Sequence, residues 1–188
     1  AGRKGWRLLV TGFEPFPGAP VNPTRMLVEW LRAAPPRIVG VEAFAAELLP
    51  VDYERIAPRL SDIGREFAPD IAIQFGLAVS SRGFRLERQA QNRFASAPAD
   101  NCGFRPPDGP ICNAPPVLPS TLPLDAMHEA LESAGLPVEW SDDAGGYLCN
   151  MAMTLSLAGT CEGFRPRWSG FVHVPLAGAG AALSEEDL

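Results

Sequence analysis

The sequence predicts an α/β fold: a single three-layer α/β/α domain in which helices cover both faces of a twisted, largely parallel mixed sheet. Short apolar runs alternate with helix-period segments along the whole chain, as successive strand and helix units require. One of those runs, Asp70–Phe75, is almost wholly apolar, the pattern of a strand covered on both faces. At 188 residues and 46% apolar composition, the chain is of a size to bury one core without disulfide or metal staples.

Trp6–Thr11, ending at Gly12, reads as the first strand, and Thr24–Ala34 follows as a helix with Met26, Leu27, Trp30 and Leu31 on one face. Arg37–Glu47 is a second extended segment. Pro50, with its fixed φ, then opens a helix Val51–Phe67 whose stripe is Ile56, Leu60, Ile63 and Phe67. After the third strand, Gly83–Asn92 reads as a strand of mixed polarity carrying Glu87 between Leu86 and Arg88. Phe94–Pro123 holds eight prolines and no periodic pattern; such a long irregular segment in a compact domain usually serves as a functional cover or an interface loop. Leu124–Ala134 is a helix, Val138–Ser141 a short strand, and Leu148–Ala158 a helix entered through Gly145 and Gly146. Gly170–Val174 is the last strand, stopped by Pro175. Sites in such folds lie beyond the carboxyl ends of the strands.

The formal charge is −6, with Arg and Lys scattered along the chain, so there is no footprint for a nucleic-acid backbone or an anionic membrane. No apolar run reaches the roughly 18 residues of a membrane span. Ala1–Arg7 is basic, but the apolar stretch behind it is only Leu8–Val10 and lacks the core of a signal peptide. The chain does not begin with Met, so a leader removed earlier stays open. Cys102, Cys112, Cys149 and Cys161 are too sparse for a disulfide scaffold and too widely spaced for a zinc knuckle, which fits a reducing cytoplasm. Cys102 and Cys112 are expected free, with pairing to each other as the alternative.

A thiol becomes nucleophilic where its thiolate is stabilised, and the amino end of a helix does this through unpaired N–H groups and the dipole. Cys149, in GGYLCN, occupies such a position, and the same N–H groups suit an oxyanion. Its base must be one of only two histidines. His128 falls within a helix beside charged neighbours and reads as solvated. His173, in GFVHVP at a strand end, reads equally well as a satisfied core residue or as the base of Cys149. Glu87 suits the third member that orients the imidazole, but taken alone it reads more naturally as an ion-pair partner of Arg85 or Arg88.

The segments VTGFEPF, LPVDYE, LERQAQN, GGYLCN and GFVHVP, in this order, resemble the pyroglutamyl peptidase I family of cysteine peptidases over essentially the whole chain. The resemblance implies a phosphorylase/hydrolase-like fold, no cofactor or metal, and a triad of Cys149, His173 and Glu87. It implies a pocket for the pyroglutamyl lactam built by Phe13, Phe16, Tyr147 and Leu148, with Asn22 holding its loop. A neutral lactam has no free amine, so aromatic walls and main-chain hydrogen bonds suit it better than a carboxylate anchor. The implied partner is a peptide with N-terminal pyroglutamate, and relatives often form homotetramers. Three departures stand out: Leu77 where the family usually has glutamine, Pro17 before the glycine that follows PF, and Ala97 where it usually has an arginine. Arg93 or Arg105 is the alternative source of that missing charge. Two further readings stay open: a thiol hydrolase with another small acyl specificity, and a non-catalytic descendant that binds blocked peptide ends.

Overall fold

The computed structural model describes residues 5–178, 181 and 183–188. Strand β1, Trp6–Phe13, leads to helix α1, Pro23–Ala33, and β2, Val41–Leu49, leads to α2, Tyr53–Glu66. β3 spans Ile71–Leu77, β4 Phe84–Glu87, β5 Gln89–Gln91 and β6 Val117–Pro119. Helix α3, Leu124–Ser133, strand β7, Val138–Ser141, helix α4, Leu148–Ala158, and strand β8, Trp168–Val174, complete the main elements before a 3-10 turn at Glu185–Asp187. The six-stranded sheet has the order β2-β1-β3-β8-β4-β7, while β5 and β6 pair separately. β2, β1, β3 and β8 are parallel; β4 runs antiparallel to β8 and parallel to β7. Among the described residues no helix is long and apolar enough to cross a membrane.

Local chemistry sets the helix starts. Asn22 caps α1 by accepting from Thr24 N at 3.0 Å, with Pro23 behind it in the first turn, where its missing N–H costs nothing. At α2 the expected start at Pro50 is displaced: Asp52 accepts from the N–H groups of Glu54 and Arg55 at 2.9 and 3.1 Å, and the helix begins at Tyr53. A carboxylate that satisfies two orphan donors defines a stronger boundary than a proline that merely tolerates the first turn. In α1, Leu27 and Val28 are buried, whereas Trp30, expected on the covered face, is 44% exposed. The burial stripe is set by close approach: a Cβ at Gly12 of β1 would stand only 2.4 Å from the Thr24 carbonyl, so the glycine lets α1 settle onto the sheet at Thr24 and Val28.

The sheet separates two apolar clusters. One packs α2 and α4 against β1, β3 and β8 through residues such as Leu9, Ile56, Leu60, Met153 and Phe171. The other places α3 against Phe84, Leu86, Val172 and Val174. Alternation decides which side chain faces which cluster. On β8, Val172 and Val174 face α3 while Phe171 and His173 face α4; on β4, Leu86 faces α3 and Glu87 the other way. Helix α4 is buried from Leu148 through Ser156 apart from Cys149, as an apolar helix wedged between layers must be.

Two expectations are corrected here. The single strand at 83–92 is two: the chain leaves the main sheet at Arg88, and β5 pairs with β6 instead. The irregular segment 94–123 is mostly without regular elements but contributes β6, and side-chain amides and carboxylates hold it where no ladder does. Asn92, buried, accepts from Ile111 N and Cys112 N at 3.0 and 3.1 Å and donates to the carbonyls of Cys112 and Ala114 at 2.9 and 2.8 Å. Asp100 accepts from Tyr53 N at the start of α2 and from Cys102 N and Phe104 N. All four cysteines are free; Cys102 lies 3.4 Å from Asp52 Oδ2 and Cys112 3.8 Å from Asn92 Oδ1.

Candidate active site

Three elements end at one point. Parallel pairing sets His173 of β8 opposite Gly76 of β3, near the carboxyl ends of both strands. Helix α4 arrives above that row with Cys149 in its first turn, and β4 terminates at Glu87 alongside β8. Gly76 is what lets the sulfur come down onto the sheet. A Cβ there would lie 2.6 Å from Cys149 Sγ and 2.7 Å from the Phe171 ring, closer than real contacts allow.

Glu87 is fully buried and its Oε1 lies 2.7 Å from His173 Nδ1. An Nδ1–H donated to the carboxylate leaves the other ring nitrogen for Cys149, whose charge acts on the imidazole. Burial disfavours charge on this ring, but the neighbouring Cys149 thiolate and then Glu87 outweigh it and hold His173 up at about 9. Tyr147 caps α4 without a side-chain hydrogen bond, so the first-turn N–H groups around Cys149 have no side-chain acceptor.

A cavity of about 40 Å³ opens beside the sulfur. Phe13, Phe16, Asn22, Tyr147 and Leu148, expected from sequence, all line it with Cys149, and Val51 and Leu77 join them. Phe13 both lines the cavity and belongs to the apolar core. The Asn22 amide is engaged within its own loop, accepting from Thr24 and donating to Glu14 O at 3.4 Å. Tyr147 packs edge-on against Phe16 and Tyr53, and its hydroxyl donates to Ala99 O at 3.1 Å, tying the proline-rich segment to the pocket wall. A larger depression of about 740 Å³ lies between Arg88, Leu122 and Trp140, away from the thiol and the imidazole.

Ala97 is buried in the apolar cluster. Arg93 and Arg105 are exposed. The charge of Arg105 acts on Tyr53, whose hydroxyl burial pushes well above its usual range, and the charges that act on His173 are those of Cys149 and Glu87. His128 sits on α3, stacked on Trp140 and 3.4 Å from Glu132, remote from this row. Among the described residues no group of three His, Cys, Asp or Glu side chains is placed to hold a metal ion. Val51 and Gly76 were missed in the sequence. A glycine next to the last residue of an apolar strand is the available signal for the second.

A thiol beside an imidazole that is hydrogen-bonded to a buried carboxylate, at a helix start over the carboxyl edge of an α/β sheet, defines a hydrolase site of the thiol type. The chain belongs to the pyroglutamyl peptidase family, whose sequence model matches residues 6–186. It is 38% identical over 170 residues to the pyrrolidone-carboxylate peptidase of Pyrococcus furiosus, covering 90% of this chain and 80% of that one. Its identity to the enzyme of the same name from Oceanobacillus iheyensis is 34%, over 91% and 84% of the two chains. The fold superposes on the A199P mutant pyrrolidone carboxyl peptidase of P. furiosus with a TM-score of 0.87 at 35% identity, covering 96% of this chain and 91% of that chain. For the pyrrolidone carboxyl peptidase of Thermus thermophilus the TM-score is 0.83 at 33% identity, over 96% and 93%.

Proposed function

We propose that this protein is a cysteine exopeptidase that hydrolyses the amide bond after an N-terminal pyroglutamyl residue. Cys149 is the nucleophile, His173 the general base and acid, and Glu87 the group that fixes the imidazole. The observation that carries this reading is the 2.7 Å hydrogen bond from His173 to a buried Glu87, with Cys149 as the imidazole's other neighbour and an apolar cavity beside the sulfur.

In the first half-reaction the thiolate attacks the pyroglutamyl carbonyl, and N–H groups of the first turn of α4 receive the oxyanion. His173 passes its proton to the departing amine, and the C–N bond breaks to leave a thioester on Cys149. Water, deprotonated by His173, then hydrolyses the thioester and restores the thiol. The lactam ring lies against Phe13, Phe16 and Leu77. An uncharged pocket excludes an ordinary N-terminus because burying an ammonium without a partner costs several kcal/mol or more.

Leu77 and Ala97 favour one second reading, a thiol hydrolase with another small acyl specificity, since both remove polar groups that the family usually has near the site. Four free thiols suit a reducing compartment such as the cytoplasm, and self-association follows from the resemblance. The test is release of aminomethylcoumarin from a panel of aminoacyl conjugates. Pyroglutamyl conjugate as the preferred substrate is the expected result. Preference for another acyl group decides for the second reading, and stoichiometric peptide binding without any turnover sinks both.

A further inference from the structure

We propose that Asn150 is a positioning residue for the reaction: its carboxamide sets where the amino end of α4 holds Cys149 relative to Glu87. The proposal rests on the roles given above to Cys149, His173 and Glu87.

Asn150 is 2% exposed, and both ends of its amide are spent on the main chain of one residue. Oδ1 accepts from Gln91 N at 2.9 Å, and Nδ2 donates to Gln91 O at 2.7 Å. Gln91 closes β5, four residues beyond Glu87. The result is a closed circuit. Cys149 is bonded to Asn150, Asn150 is clamped to Gln91, and the chain runs back from Gln91 to Glu87. Glu87 holds His173, on which the charge of Cys149 acts.

Packing alone does not provide this. Helix α4 is enclosed by apolar neighbours, but apolar contact is non-directional and leaves the axial position of a helix weakly defined. Its cap residue, Tyr147, contributes no side-chain bond to the first turn. The two directional bonds of Asn150 thus tie the residue next to the sulfur, and a displacement of 1 Å at a reacting group costs about 10²-fold in rate. Thr154, one turn further along the same face, reaches the same Gln91 carbonyl at 3.4 Å and offers a comparison with no neighbouring nucleophile.

The experiment compares Asn150→Ala, Asn150→Asp, Asn150→Gln and Thr154→Val, reading kcat and KM on a pyroglutamyl conjugate and the pH profile of Cys149 alkylation by iodoacetamide. For Asn150→Ala we expect kcat to fall about 10- to 100-fold with KM nearly unchanged, and the alkylation profile to move. Asn150→Asp keeps the acceptor for Gln91 N but loses the donor and places a charge beside the thiolate, so its alkylation profile shifts to higher pH. Asn150→Gln, which carries the same two groups, recovers part of the Ala loss, and Thr154→Val keeps the wild-type kcat and profile. Folded Ala or Asp variants with wild-type kcat and profile overturn the proposal, as does an equal loss from Thr154→Val. Where Asn150→Ala does not fold, the Asp and Gln variants decide. A wild-type protein without turnover defeats the proposed function, while the alkylation profiles still decide the part played by Asn150.

Discussion

Helix α4 has a cysteine near each end, and the two meet opposite conditions. Cys149 sits in the first turn, among N–H groups that its cap side chain leaves unfilled, with an imidazole that feels its charge and a cavity beside it. Cys161 follows the carboxyl end, two residues past Gly159, whose left-handed conformation (φ 62°) stops the helix. There burial pushes the thiol up to about 11, the nearby Cys112 adds to the rise, and only 4% of the residue is exposed. Residue type and proximity to one helix are shared. What differs is the end of the dipole each sulfur faces and whether a cation waits beside it, and these decide which one can be a thiolate.

The sharpest test of that contrast is removal of the sulfur at the amino end. Cys149→Ala is expected to lower kcat/KM on a pyroglutamyl conjugate by at least about 10⁴-fold, with the fold retained by circular dichroism. A smaller change moves the chemistry elsewhere.

Next in size is Gly76→Ala. Its new Cβ has no room beside the sulfur and the Phe171 ring, so Cys149 or the sheet must shift, and kcat/KM should fall about 10²-fold. Unchanged kinetics would show that the sulfur does not depend on this close approach.

The His173 titration sharpens the same comparison from the imidazole side. In the wild type the Cys149 thiolate and Glu87 together hold the imidazolium up to about pH 9, so kcat/KM should decline on the alkaline side near that value. Removing the thiolate in Cys149→Ala takes away a negative neighbour, leaving burial opposed by Glu87 alone, so the His173 pKa must fall. NMR titration of the ring protons checks the sign; a value still near 9 would mean that Glu87 alone does the holding.

The smallest effect belongs to the other end. Cys161→Ala should leave kcat/KM within about twofold, because the thiol is buried, protonated at neutral pH and separated from Cys149 by the length of α4. Loss equal to that of Cys149→Ala would erase the distinction drawn here.

Much of this was legible from residues alone, and the exceptions have definite causes. The apolar periods located every helix and main strand, yet the α2 start was misplaced because Asp52 caps it two residues beyond Pro50. Trp30 fits the helix period as well as Leu27 does, but only the approach of α1 to Gly12 fixes which face is covered. Strands β4 and β5 read as one because the chain stays extended through Arg88 while its partners change from β8 and β7 to β6. Five pocket residues were found through their motifs, whereas Val51 has no chemical mark of its own and Gly76 resembles any glycine near a strand end.

By itself the sequence determined the alternation of strands and helices, the helix start that presents a thiol and the scarcity of histidines that leaves one base for it. These are local properties, written in spacing, capping groups and residue type. Only the tertiary structure decided that Glu87 points to His173 and not to Arg85 or Arg88, that Asn150 closes on Gln91, and that Ala97 is buried among apolar residues. The reason is physical. A side chain's partner is set by strand register and by which face of the sheet it occupies, and residues 86 positions apart acquire that relation only when the sheet has assembled.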